Sequence, residues 1–314
     1  MSAQKLMLVL GATGFLGKFV IDKMIASDYP LRVVTRGGAD WQNSTVSSLR
    51  HKGVDVIMGD ITKQEILERA VEGTSAIVNM AGCFLEARNS SYEEVNVDAV
   101  EQLAQVGKAA GVQRVIHVSC LGARRDADCR YFKTKWDGEE IVRDSKQYWT
   151  IFRPSFIFGN RFPFLEHLKP VFTFKMFLPV IGSGTNTIQP VFVEDVADCI
   201  VQSIYSRECV GKSFDLVGPD DFSMLELLEM SRNALEIGGP TMNLPSQISG
   251  KTMGIMAKAL PRSILTNDLA GMMSDDSCST QDDMLGNFQV ANASMHDYFP
   301  AIVESLGVKS KPFF

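Results

Sequence analysis

The six cysteines of this 314-residue chain neither pair nor cluster. Cys83, Cys120, Cys129, Cys199, Cys209 and Cys278 are scattered, with no C-x-x-C and no Cys/His group. A disulfide framework and a metal site are therefore not signalled, and a reducing compartment fits. Basic blocks are missing too. The net charge of −6 and pI near 5.4 supply no general field for nucleic acid, which is excluded as a partner. No hydrophobic run suits a membrane span: the most apolar stretch, FPFLEHLKPVFTFKMFLPVIG (162–182), is broken by Glu166, His167, Lys169, Pro170, Lys175 and Pro179, which are costly in hydrocarbon. Only four residues precede the first strand-like run, so no secretory or transit peptide is expected there. Internal repeats and low-complexity linkers are also absent.

What is present is alternation. Short β-branched runs at 5–10, 31–35, 54–58, 75–80, 114–119 and 149–153 are separated by segments of helical period near 15–26, 44–51, 63–72, 91–110 and 132–145. Capping boxes are expected at Thr62 with Glu65 and at Ser223 with Glu226. This order predicts an α/β fold: a Rossmann-type doubly wound parallel sheet built from residues 1–160, completed by strands and helices near 189–217. Residues 161–314 are expected to form mainly a smaller C-terminal lobe over the carboxyl edge, for substrate or partner docking.

The stretch VLGATGFLG places Gly11, Gly14 and Gly17 between the first strand and the first helix. A dinucleotide site needs a tight turn at Gly11, close backbone approach to a pyrophosphate at Gly14, and close helix packing at Gly17, with the helix amino terminus facing the phosphates. Thr13, Phe15 and Leu16 fall within the same turn. At the end of the second strand VVTRGG offers Arg36 and no carboxylate before Asp40. Arginine binds a 2′-phosphate through charge-assisted hydrogen bonds, which favours NADPH over NAD; otherwise Arg36 is an ordinary solvated side chain.

After the fifth strand, which ends at Ser119, comes YFKTK, with Tyr131 and Lys135 at i and i+4. On a helix they share one face. An ammonium beside a phenol favours the phenolate, so Tyr131 is expected to exchange a proton near neutral pH. Lys135 is also placed to hold the cofactor ribose, and Ser119 to orient the substrate oxygen. A helix surface pair is the plainer alternative. His117, inside an apolar strand, reads as a satisfied core histidine. Cys83, Cys120 and Cys129 fall near the carboxyl edge and read as small buried thiols.

Together these segments resemble the short-chain dehydrogenase/reductase superfamily in its extended and atypical branches. The resemblance covers residues 5 to about 200. It implies that Asp60 in MGDIT, with Ile61 beside it, contacts adenine, and that VNMAG, with Asn79, Ala81 and Gly82, is the N-x-A-G signature. It further implies that Ser119, Tyr131 and Lys135 are catalytic, that Asn96 completes a proton-relay tetrad, and that RPSFIFGN brings Pro154 to the cofactor. VSCLGA and LPVIGSG…QPVFVEDVA are similar to the group containing the NADPH-binding accessory subunit of respiratory complex I and its bacterial relatives. That likeness implies NADPH, a cytoplasmic location (mitochondrial matrix for a mature organellar chain), and docking to a membrane-associated complex.

Three functions stay open. One is an oxidoreductase acting on a small apolar carbonyl, alcohol or quinone. A second is a non-catalytic NADPH-binding structural subunit. The third is a nucleotide-sugar epimerase or dehydratase, which should prefer NAD and needs a basic site for a second pyrophosphate. The phenylalanine-rich segment at 162–181 is expected to be core, an apolar substrate wall or a docking face.

Overall fold

The computed structural model describes residues 5–37, 40–87, 90–166, 178–234, 239–244, 267–280 and 283–305. Its centre is a seven-stranded parallel sheet. In chain order the strands are β1 (Met7–Leu10), β2 (Leu31–Thr35), β3 (Asp55–Met58), β4 (Ala76–Asn79), β5 (Arg114–Val118), β6 (Tyr148–Pro154) and, after four short strands, β11 (Lys212–Leu216). Met7–Leu10 and Ala76–Asn79 are buried at every position, as strands covered on both faces must be. The spatial order β11-β6-β5-β4-β1-β2-β3 reverses direction between β1 and β4, the point where open α/β sheets bind ligands beyond their carboxyl ends.

Helices cover both faces: α1 (Phe15–Ala26), α2 (Asp40–His51), α3 (Gln64–Val71), α4 (Ala99–Ala109) and α5 (Arg130–Asp144). One π-helical turn, Glu94–Asp98, leads into α4, where the sequence pattern predicts unbroken α-helix. Ser91 and Glu94 open it with a reciprocal capping box. The box expected at Thr62 and Glu65 does not form. Lys63 is the N-cap of α3 and makes no side-chain cap bond, because Thr62 turns back and donates both its N–H and its hydroxyl to Asp60. The box at Ser223 and Glu226 forms as expected, opening α7 (Met224–Ala234).

Later elements are smaller. β7 (Ile157–Phe158) pairs in parallel with β10 (Val191–Phe192), so QPVFV joins a two-stranded ladder outside the main sheet. β8 (Leu178–Ile181) pairs with β13 (Thr241–Leu244), and β9 (Thr187–Ile188) with β12 (Phe222–Ser223). α6 (Val193–Ser203) packs on α1. α8 (Asn267–Ser274), α9 (Asp283–Asn287) and α10 (Met295–Ser305) complete the described chain. Ser277 is stitched to this region: its N–H donates to Thr187, and its carbonyl accepts from Gln189. No helix among the described residues is long and apolar enough to cross a membrane.

Candidate active site

The glycine turn is shaped by steric exclusion. Gly11 has φ of +79°, and a side chain there would lie 2.7 Å from the Met80 backbone and 2.8 Å from the Ala81 nitrogen. The turn therefore nests against the residues that follow β4. At Gly17 a Cβ would run into the Gly11 carbonyl oxygen and lie 2.8 Å from Ala12, so the first turn of α1 packs on the loop only because this residue is bare. Gly14 is different: its Cβ would meet only the Gly11 oxygen, at 3.1 Å. It is the N-cap of α1, with no side-chain cap, which leaves the helix's first N–H groups available to an anion.

Residues widely separated in sequence converge beyond these strand ends. A cavity of about 320 Å³ is lined by Phe15 and Leu16 of α1, Gly82 after β4, Ser119 after β5, Tyr131 and Lys135 of α5, and Pro154 at the end of β6. Its remaining walls are mainly apolar, including Phe84, Phe132, Phe156, Phe162, Phe164 and Met272. Among the described residues Lys135 is the one charged side chain on this lining. Cys83 and Cys120 also reach it. Both are buried thiols pushed up by desolvation, Cys120 to about 12, so they remain protonated and unreactive at neutral pH.

Ser119 is 5% exposed, and its Oγ has no hydrogen-bond partner. A buried hydroxyl left unpaired is costly, and here it borders an open cavity that a ligand oxygen can enter. Lys135, also 5% exposed, donates from Nζ to the Val118 carbonyl at 2.8 Å. Burial lowers its pKa, while Cys120 and Glu139 pull the other way. Tyr131 stands among the rings of Phe84, Tyr92 and Phe132, at 5.6, 5.7 and 5.6 Å. Burial, then the neighbouring Cys120, raises its phenol well above the usual value. That direction runs against the phenolate an adjacent ammonium would favour and suits Tyr131 as a proton donor.

Asn96 lies in the π-helical turn, 3% exposed, accepting from the Cys83 N–H at 3.0 Å and donating to Thr134 Oγ1 at 3.2 Å. Single π turns often mark functional sites. A Cβ at Gly82 would sit 3.5 Å from Lys135 Nζ and 3.6 Å from Asn96 Oδ1, so the two polar groups flank the same bare backbone. Asn79 is buried. Its Oδ1 accepts from the Ala81 N–H and its amide meets His117 Nδ1 at 3.2 Å, so it shapes the β4 turn from behind. His117 is the buried core residue expected, but its Nε2 has no partner; burial drives its pKa well down.

Asp60 spends its carboxylate on Thr62, with Ile61 half-buried beside it at the end of β3. Arg36 is exposed at the end of β2. Thr13 lies in the glycine turn. Arg36, Asp60 and Ile61 do not line the cavity with Tyr131; they follow β2 and β3, on the other side of the switch point. Of the aromatic segment, Phe162, Phe164 and Leu165 are buried core, and Phe162 and Phe164 also line the cavity. Residues 167–177, including Phe172 and Phe174, lie outside the described residues. Sequence reasoning missed Phe84 and Tyr92, which hold the Tyr131 ring. Tyr92, 1% exposed, donates to the Phe84 carbonyl, and nothing in the local sequence announces that contact.

Residues 3–228 match the NmrA-like family model. The chain is 31% identical over 271 residues to the mitochondrial NADH dehydrogenase [ubiquinone] 1 alpha subcomplex subunit 9 of Arabidopsis thaliana, covering 82% of this chain and 63% of that protein. It is 29% identical over 199 residues to a ceramide reductase of Caulobacter vibrioides, covering 63% of this chain and 61% of that one. The chain thus spans less than two thirds of the length of these curated relatives. Among solved structures it resembles the Citrobacter sp. triphenylmethane reductase complexed with NADP(H), with TM-score 0.66 and 16% identity over 96% of this chain and 99% of that one. This likeness shows a shared fold.

Proposed function

The chain belongs to the NmrA-like family, with a short-chain dehydrogenase/reductase-type NAD(P)-binding fold, and from that premise we propose that it is an NADPH-dependent oxidoreductase acting on a small apolar carbonyl, alcohol or quinone. The observation that carries this reading is the convergence of Ser119, Tyr131 and Lys135 with the first turn of α1 on one apolar cavity. The unpaired Ser119 hydroxyl orients the substrate oxygen, and Tyr131 supplies the proton as a neutral phenol. Lys135 holds the ribose of the cofactor, whose nicotinamide supplies or takes up hydride. The bare amino terminus of α1 at Gly14 receives the pyrophosphate. Arg36 takes the 2′-phosphate and so prefers NADPH to NADH.

A nucleotide-sugar substrate fits poorly, because the described cavity lining offers no second cation for another pyrophosphate. A second reading has separate support. Similarity to a complex I subunit favours a cofactor-bound structural role, in which NADPH stabilises the fold by mass action and the chain docks on a membrane-associated respiratory complex. On that reading it resides in the mitochondrial matrix or on the cytoplasmic side of a bacterial membrane. Purified protein decides between them. Co-purifying NADPH that is oxidised on adding menadione or a neutral ketone supports the enzyme. Bound NADPH that survives every acceptor supports the structural role, and a chain that binds no nicotinamide nucleotide defeats both.

A further inference from the structure

Behind the reaction corner lies an ion cluster that the proposed chemistry does not use. Glu139 is 0% exposed and accepts a bidentate fork from Arg153, Nε at 2.9 Å and Nη2 at 2.6 Å, and a third bond from Arg143 Nη2 at 2.6 Å. The Trp136 ring lies 4.9 Å from the Arg143 guanidinium and 5.6 Å from that of Arg153. Asp215 of β11 stands 4.0 Å from Arg153. Well-packed apolar residues in place of such a cluster are often as stable or more so, because burying charge costs desolvation. Stability alone is therefore a weak reason for the cluster. A planar fork does what apolar packing does poorly, fixing both the direction and the rotation of the two elements it joins.

Those two elements are the ones that matter for the cavity. Tyr131, Lys135 and Glu139 recur every four residues along α5 and share one face of it. Arg153 directly precedes Pro154 in β6. The same strand end holds Ser119 by backbone bonds: Ser119 N–H donates to the Phe152 carbonyl at 2.7 Å, and Leu121 N–H to that of Pro154 at 2.9 Å. One buried fork thus joins the helix carrying the proton donor to the strand that anchors the serine. Close packing of the Gly138 Cα against the Asn96 carbonyl leaves α5 little room to settle elsewhere. Glu139 is also one helical turn from Lys135 and favours its ammonium, against desolvation.

We propose that Glu139, through its fork with Arg153, is a positioning residue that sets Tyr131 and Lys135 against Ser119 and keeps the Lys135 ammonium charged for the cofactor. This inference rests on the NADPH-binding reading above. Cys120 and His117, after β5 and within it, also interact with the Lys135 charge, and Tyr131 and Cys83 line the same cavity.

The test compares Glu139→Gln, which removes the charge, with Arg153→Lys, which keeps a cation and removes the fork. NADPH affinity is read from nicotinamide fluorescence across pH, menadione serves as the turnover probe, and thermal unfolding reports integrity. In Glu139→Gln the alkaline loss of NADPH affinity should move to lower pH, because Cys120 alone then opposes the desolvation that favours the Lys135 amine. In Arg153→Lys that limb should stay in place, while turnover falls by about 10²-fold and KM changes little. An unmoved limb in a folded Glu139→Gln protein overturns the charge role; full turnover in Arg153→Lys overturns the positioning role. If the wild-type chain binds NADPH but reduces no probe, the pH limb and the nicotinamide emission maximum alone decide. A wild-type chain that binds no NADPH defeats the cofactor reading, and this proposal with it.

Discussion

The two parts of the candidate site are built on different physics. At the glycine turn the determinants are absences: Gly11 and Gly17 matter because a side chain there would collide with backbone, and Gly14 because it leaves the helix terminus open. At the reaction corner the determinants are side chains whose behaviour depends on burial, as the raised Tyr131 phenol and lowered Lys135 show. A turn of backbone can be inferred from spacing. The charge state of a buried phenol cannot, because it depends on what covers it.

The sharpest way to break this contrast is at Tyr131. Tyr131→Phe should lower turnover by roughly 10²- to 10⁴-fold, with NADPH affinity nearly intact by fluorescence titration. Retained activity would place the proton donor elsewhere. The same variant tests the burial argument directly. The raised phenol means that the folded state keeps its proton above pH 10 while the unfolded chain begins to lose its own. Stability from this group is therefore full below the unfolded pKa and declines as pH rises past it. An ultraviolet difference titration of wild type against Tyr131→Phe should show no phenolate from this residue between pH 7 and about 10. A signal near neutrality would mean that Lys135 wins after all.

The glycine end should respond differently at each position. Gly17→Ala forces an atom into the Gly11 carbonyl and should destabilise by about 1–3 kcal/mol, read as a lower unfolding midpoint with or without cofactor. Gly14→Ala meets one backbone oxygen at 3.1 Å, so its unfolding midpoint should move less, while its loss of NADPH affinity should be the larger of the two. Equal effects in both assays would remove the division of labour. Arg36 comes next: NADPH should bind about tenfold tighter than NADH, and Arg36→Ala should abolish that preference, checked by paired titrations. The smallest effect expected is at the helix caps. Ser223→Ala should cost about 0.5–2 kcal/mol by denaturant melts, whereas Thr62→Ala, which caps nothing, should cost less.

That last pair shows where sequence reading stops. Ser223 and Thr62 carry the same signal three residues before a glutamate, yet only Ser223 caps, because Asp60 captures Thr62 first. β1, β2, β4, β5 and β6 were legible because buried parallel strands are near-continuous apolar runs; the edge strand β3, with no buried position, was legible from its β-branched residues. QPVFV has the same composition, but two residues of ladder with β7 are all it forms. For the site, spacing located Gly11, Gly14, Gly17, Ser119, Tyr131 and Lys135. It could not show that Asn79 braces a turn from behind or that Tyr92 and Phe84 cradle the phenol, since those facts arise from contacts between segments distant in sequence. Nothing in the spacing distinguishes Glu139 from the other helix carboxylates, and its depth alone marks it out.

The cavity draws its wall from Phe15 near one end of the chain and from Met272 and Ser277 near the other, with Ser277 held by Thr187 and Gln189. Contacts so distant in sequence form late, because loop closure precedes the reward of pairing. The central sheet can therefore assemble while the cavity still gapes. During refolding, backbone protection in β1 to β5 should appear before the cavity can hold a ligand, so ligand capture there becomes a clock for the last step of maturation.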